Sequence, residues 1–181
     1  DSVASRGLGD VYKRQRLDGS GPAGFVAPRT DDWPQVALDA GADAIRVDLD
    51  RLTPAEVAGW RAGETLLLSG RLLTGRDAAH KRLAAMLERG EDLPVDLKGR
   101  AIYYVGPVDA VAGEAVGPAG PTTSTRMDPY TDILLERTGL LVMIGKAERG
   151  DETVASIGRH GAAYLIAVGG AAYLVSVSYT H

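Results

Sequence analysis

GLLVMIGKAERGDETVASIGRHGAAYLIAV, residues 139–168, is the stretch that decides the fold. Leu140–Ile144 is a short, unbroken apolar run closed by glycines, the pattern of a strand buried on both faces. A helix is predicted from about Glu152 to His160, and Ala163–Val168 is a second apolar run. Strand, helix and strand in so short a span make a parallel βαβ unit with a right-handed crossover.

The same alternation continues upstream. Ala101–Val105 reads as a strand, followed by a loop over 106–121 rich in Gly and Pro. Thr125 and Asp128 have the spacing of a capping box and predict a helix to about Arg137, ended by Gly139. Asp77 is the expected cap of a helix over Ala78–Arg89; Ala79, Leu83, Met86 and Leu87 form its apolar face and Gly90 its stop. Gly70 to Gly75 is expected as a turn and Thr65–Leu68 as a buried strand. Thr53-Pro54-Ala55-Glu56 opens a short helix ending near Trp60, with Thr as cap and Pro at the first helical position. Ala42–Leu49 is a further strand, and a helix is expected from Ala171 after the Gly169-Gly170 turn.

Composition bounds the function. The chain has 181 residues, 45% apolar and 24% charged, as a soluble globular domain does. No apolar run reaches the about 18 residues of a membrane span. A net charge of −4 argues against a nucleic-acid binder. Cysteine is absent, so neither disulfides nor thiolate ligation of an iron–sulfur cluster is open to this chain alone. Asp10-Val11-Tyr12-Lys13-Arg14-Gln15 and Val177-Ser178-Tyr179-Thr180-His181 read like the two strands of one sequencing adapter in translation. The expected organisation is therefore a non-native extension over 1–15, a linker or the edge of an upstream domain over 16–44, one domain over 45–176, and an adapter-like tail over 177–181.

Three stretches carry a strand end, a Gly or Pro turn and then polar or cationic residues: Thr74-Gly75-Arg76-Asp77-Ala78-Ala79-His80-Lys81, Gly117-Pro118-Ala119-Gly120-Pro121-Thr122-Thr123-Ser124-Thr125-Arg126 and Gly145-Lys146. Ligands of open α/β sheets collect beyond the carboxyl ends of the strands. Arg126 is expected in the first turn of a helix, where a cation opposes the dipole; a bound anion would explain it, and pairing with Asp128 or plain solvation is the alternative. Arg76, Arg126 and Lys146 together suggest a substrate with more than one carboxylate, since Arg clamps a carboxylate through two parallel hydrogen bonds. The hydroxyls of Thr122 to Thr125 serve capping or, at one position, proton transfer aided by another group. His80 sits in a first helical turn, where a neutral ring is favoured; ordering the loop by hydrogen bonds is its other reading.

The runs LSGRLLTGRDAAHKRL, AIYYVGPVD, VGPAGPTTSTRMD, GLLVMIGKAERG and YLIAVGGAAYLV closely resemble the C-terminal domain of the iron–sulfur-dependent, class I fumarate hydratases. They are also similar to the β subunit of L-tartrate dehydratase. The resemblance covers roughly residues 45–176, and GPTTSTRMD is its most specific part.

The resemblance implies an α/β fold, the three-layer β/β/α swivelling domain with a parallel-strand core. It implies a cytoplasmic hydro-lyase of the tricarboxylic acid cycle, a homodimer when complete. It further implies a 4Fe–4S cluster on a separate N-terminal domain or α subunit, with one iron open as a Lewis acid, over which this domain closes. Carried over by position, Arg76, Arg126 and Lys146 bind the substrate's carboxylates. Thr122 transfers a proton with an aspartate of the partner domain, and His80 matches a histidine suspected of a catalytic part in the tartrate enzymes. The expected function is the substrate-clamping half of a fumarate hydratase. A tartrate dehydratase β subunit and a non-catalytic binding module retaining the fold are the alternatives.

Overall fold

The main chain of the protein, a computed structural model, is described over residues 43–106 and 119–167. In chain order the elements are β1 (Ile45–Asp48), α1 (Pro54–Gly59), β2 (Leu66–Ser69), β3 (Leu73–Thr74), α2 (Asp77–Glu88), β4 (Ala101–Tyr103), a 3-10 turn (Ser124–Met127), α3 (Asp128–Thr138), β5 (Val142–Gly145), α4 (Asp151–Arg159) and β6 (Ala163–Ile166). The two adapter-like ends, the linker over 16–44 up to residue 42, most of the 106–121 loop and the helix expected at Ala171 lie outside the described residues.

Every pairing among these strands is parallel. β1 and β2 form a small sheet, with Ile45 opposite Leu66. The main sheet runs β3-β4-β5-β6, with Ile102 opposite Met143 and Met143 opposite Tyr164. Side chains on a strand alternate between faces, and here the alternation divides the core in two. Ala101, Tyr103, Val105, Val142 and Ile144 face one cluster, shared with Val47, Leu49 and Val57 from the small sheet's side. Ile102, Tyr104 and Met143 face the other, shared with Leu83, Leu134, Leu135 and Ile157 of the helices. The layers are therefore sheet, sheet and helices. This is the α/β architecture with a parallel core expected from the sequence. A main sheet covered on both faces also explains why residues 140–144 read as an unbroken apolar run.

Local signals shape the elements. The Glu56 amide donates to Thr53 Oγ1 at 3.2 Å, capping α1 as its sequence predicts. Gly139 ends α3 with φ +71°, a left-handed conformation that glycine adopts without steric cost. Four expectations are corrected. The Gly70 to Gly75 turn contains β3, which pairs with Ile102 and Tyr103. β2 alternates half-buried and exposed instead of being buried, because the small sheet presents only one face to the core. Asp77 is the first residue of α2 and leaves Arg76 at the cap without a side-chain bond. Thr125 and Asp128 form no capping box: a 3-10 turn precedes α3, and its cap position, Met127, has no side-chain cap.

Candidate active site

The ends of β4 and β5 part to admit a third segment. The Thr122 amide donates to the Tyr104 carbonyl at 2.8 Å, the Lys146 amide to the Thr122 carbonyl at 3.2 Å, and the Ser124 amide to the Lys146 carbonyl at 3.1 Å. Main-chain bonds thus set Lys146 opposite Thr123, with Thr122 one residue before it, at the carboxyl ends of the strands, where an α/β sheet gathers ligands. Gly145 makes this approach possible. A Cβ there would lie 2.0 Å from Ser124 Oγ and 2.9 Å from the Tyr104 ring. Lys146 is exposed and Thr122 half-buried.

Arg76 enters from the end of β3, where the Gly75 amide donates to the Tyr103 carbonyl at 3.1 Å. Its exposed side chain lies on the main chain of Gly106, just past β4: a Cβ on Gly106 would meet Arg76 Cζ at 2.8 Å. Arg126 approaches from the 3-10 turn, and its Nη2 donates to Asp77 Oδ2 at 2.5 Å. The partner of Arg126 is therefore Asp77 and not Asp128. The pair is exposed at 57% and 36%, so it is worth about 1 kcal/mol or less. A ligand carboxylate could displace it at small cost. One of the guanidinium's five N–H donors serves Asp77, and the remaining donors are available to an anion.

His80 is 1% exposed. Its Nδ1 lies 2.9 Å from the Arg76 carbonyl oxygen. A carbonyl only accepts, so Nδ1 carries the proton and Nε2 holds a lone pair, which is buried without a hydrogen-bond partner. The ring meets Tyr104 edge to face at 5.1 Å. Burial pushes its pKa below 6.5, with the Arg149 charge acting the same way and the Arg76 carbonyl and Asp77 opposing. Burial thus favours the neutral ring that the sequence suggested.

The structure adds residues that the sequence did not single out. The Arg149 side chain is 1% exposed. It donates to Asp128 Oδ1 at 2.6 Å, to Thr131 Oγ1 at 2.7 Å and to the Tyr104 hydroxyl at 3.3 Å. Asp128 Oδ2 also accepts the Gly150 amide at 2.9 Å, which ties the start of α3 to that of α4. Arg149 stands inside a quoted run, GKAERG, but nothing in that run marks it as buried.

No donor set for a metal centre is present among the described residues: no three His, Cys, Asp or Glu side chains are grouped to hold an ion. The chain has no cysteine. The described residues do not fit a cluster.

Comparison with known proteins bears on this arrangement. The family described as "Fumarase C-terminus" matches residues 19–180. The class I, anaerobic fumarate hydratase of Escherichia coli is 37% identical over 153 residues, which cover 82% of this chain and 28% of that enzyme. Fumarate hydratase 2 of Leishmania major is 33% identical over 80% of this chain and 26% of its own length. A Methanocaldococcus jannaschii protein named as an L(+)-tartrate dehydratase subunit beta is 32% identical over 71% of this chain and 67% of its own length. The chain thus spans about a quarter of the fumarate hydratases it matches. On the strength of the family match over most of its length, the chain belongs to the fumarase C-terminus family.

Proposed function

We propose that the chain is the substrate-clamping half of an iron–sulfur hydro-lyase that reversibly hydrates fumarate to malate. The observation that supports this is the main-chain bonding of the 122–124 segment to Tyr104 and Lys146 at the carboxyl ends of β4 and β5, with Arg76 lying on Gly106 just past β4 and Arg126 on Asp77, the residue after Arg76. Hydration adds a hydroxyl to one alkene carbon and a proton to the other. In the reverse direction charge builds toward a carbanion beside a carboxylate, where fixed cations are most effective. Arg76 and Arg126 bind carboxylates as two-pronged donors and Lys146 as a point charge. Thr122 carries the proton, relayed to an aspartate of the partner domain. His80 is a neutral imidazole whose Nδ1 holds the Arg76 main chain. A catalytic part for it requires that closure of the partner domain bring a proton to Nε2. The 4Fe–4S cluster is assigned to that N-terminal domain or α subunit. The complete enzyme is read as a cytoplasmic homodimer of the tricarboxylic acid cycle, on the resemblance alone. Among the described residues no helix is long and apolar enough to cross a membrane.

The test is an anaerobic assay of the purified chain, alone and with a cluster-bearing domain from a related enzyme, on fumarate, malate and tartrate. The expected result is no hydration by the chain alone and hydration by the complemented enzyme. Arg126→Lys should then lose nearly as much as Arg126→Ala, about ten- to a hundredfold in kcat/KM, because bidentate geometry is lost in both. Turnover by the lone chain refutes the half-enzyme reading, and a silent Arg126→Ala refutes the clamp. Preference for tartrate favours the dehydratase reading, in keeping with the relative that this chain matches over most of its length. No turnover of any substrate by the complemented enzyme favours a binding module.

A further inference from the structure

Beyond the four residues of the clamp, we propose that Tyr164, resting on Arg149, is a positioning residue for Lys146. It fixes the turn that presents the lysine to the site. The proposal rests on the carboxylate-binding part assigned to Lys146 above.

The turn is strained. Ala147 follows Lys146 directly and has φ +62°; it is the one non-glycine with a positive φ among the described residues. Residues with a Cβ seldom adopt this conformation, and it persists where the surroundings over-determine it. Tyr164 supplies the restraint. Its hydroxyl lies 2.7 Å from the Ala147 carbonyl and 2.8 Å from Ser124 Oγ. A carbonyl only accepts, so the tyrosine donates to Ala147 and the Ser124 hydroxyl donates to the tyrosine. One hydroxyl thereby joins the residue after Lys146 to the segment leading to Arg126.

The tyrosine is itself held. Arg149 Cζ lies 5.0 Å from its ring centroid and 5.5 Å from that of Tyr104, within range of cation–π attraction. Asp128, Thr131 and the Tyr104 hydroxyl immobilise that guanidinium. Before the turn, Lys146 is bonded through its amide to Thr122 and through its carbonyl to Ser124. A lysine is a long, flexible side chain, and fixing its main chain reduces the ordering cost of binding.

Tyr164→Phe keeps the ring on Arg149 and removes only the hydroxyl. Ala147→Gly removes the strain and frees the turn. Each is measured for malate affinity of the full chain by NMR titration, for malate KM and kcat of the complemented enzyme, and for Tm. Tyr164→Phe is expected to weaken the affinity and raise KM about fivefold with kcat nearly unchanged, the loss of one hydrogen bond's worth of uniform binding. Ala147→Gly should also weaken binding while Tm stays level or rises, a combination that a merely structural role would not give. In a Lys146→Met background, Tyr164→Phe should change affinity no further, because it acts through the lysine. An equal loss in both backgrounds overturns the proposal. So does a silent Tyr164→Phe beside a costly Lys146→Met. A silent Lys146→Met removes the carboxylate-binding reading of that residue and this inference with it.

Discussion

Gly106→Ala separates the proposed clamp from the fold. The added Cβ would stand 2.8 Å from Cζ and Nε of Arg76 and 2.9 Å from Nη2. Non-bonded carbon contacts settle at about 3.5–4.0 Å, so the guanidinium must retreat by roughly 0.7–1.2 Å. The obstructing atoms are the far end of an exposed side chain, which moves by rotating soft torsions. No positive φ makes Gly106 intolerant of a side chain. Stability should therefore change by no more than about 0.5 kcal/mol, as at other surface positions. Substrate binding should not escape so lightly. A displacement of about 1 Å spoils a bidentate bond, and a hydrogen bond to a charged group is worth about 1.5–3 kcal/mol. Partial loss predicts a fall in kcat/KM of about tenfold in the complemented enzyme, with Tm within about 2 °C of the parent. In an Arg76→Ala background Gly106→Ala should cost nothing more. An unchanged kcat/KM, or the same loss without Arg76, would refute the placement of Arg76 as a clamp.

What the sequence revealed and what it hid have one physical division. β4 and β5 were legible because strands covered on both faces need apolar residues at every position, and 101–105 and 140–144 supply them. The Thr53 cap was legible because its bond spans only three residues. β3 was not, because two residues carry no period; its pairing to Ile102 and Tyr103 comes from the neighbouring strand. Asp77 and Asp128 were misread for a related reason. Both stand where capping carboxylates stand, but arginines distant in sequence take them: Arg126, 49 residues on, and Arg149, 21 residues on. Local spacing marks a carboxylate near a helix start but not the partner that the fold brings to it. The residues of the proposed clamp stand in quoted runs. Arg149 was hidden, because a buried cation is identified only by the partners that the fold assembles around it.

Two further outcomes follow from burial. Gly145→Ala would set a Cβ against Ser124 Oγ and the Tyr104 ring, both of them 0% exposed, so neither can retreat as Arg76 can. Overpacking of this kind costs about 1–3 kcal/mol or more, and a thermal melt of the variant should show a Tm several degrees lower; an unaltered Tm would contradict the close approach of the 122–124 segment. For His80 the sign of the pH effect is fixed by which state binds more protons. Burial lowers its pKa in the folded chain below the 6.5 of the unfolded chain. Between those two values the unfolded chain holds the extra proton, so stability rises with pH. The contribution is complete above 6.5 and is lost as pH falls through 6.5 toward the folded value. Urea midpoints taken between about pH 7.5 and pH 5 should therefore fall on acidification, and His80→Gln should flatten that part of the curve while leaving the carboxylate titrations below it in place. A variant whose midpoint follows the parent's at every pH would show that His80 is not held neutral by its burial beneath Arg76.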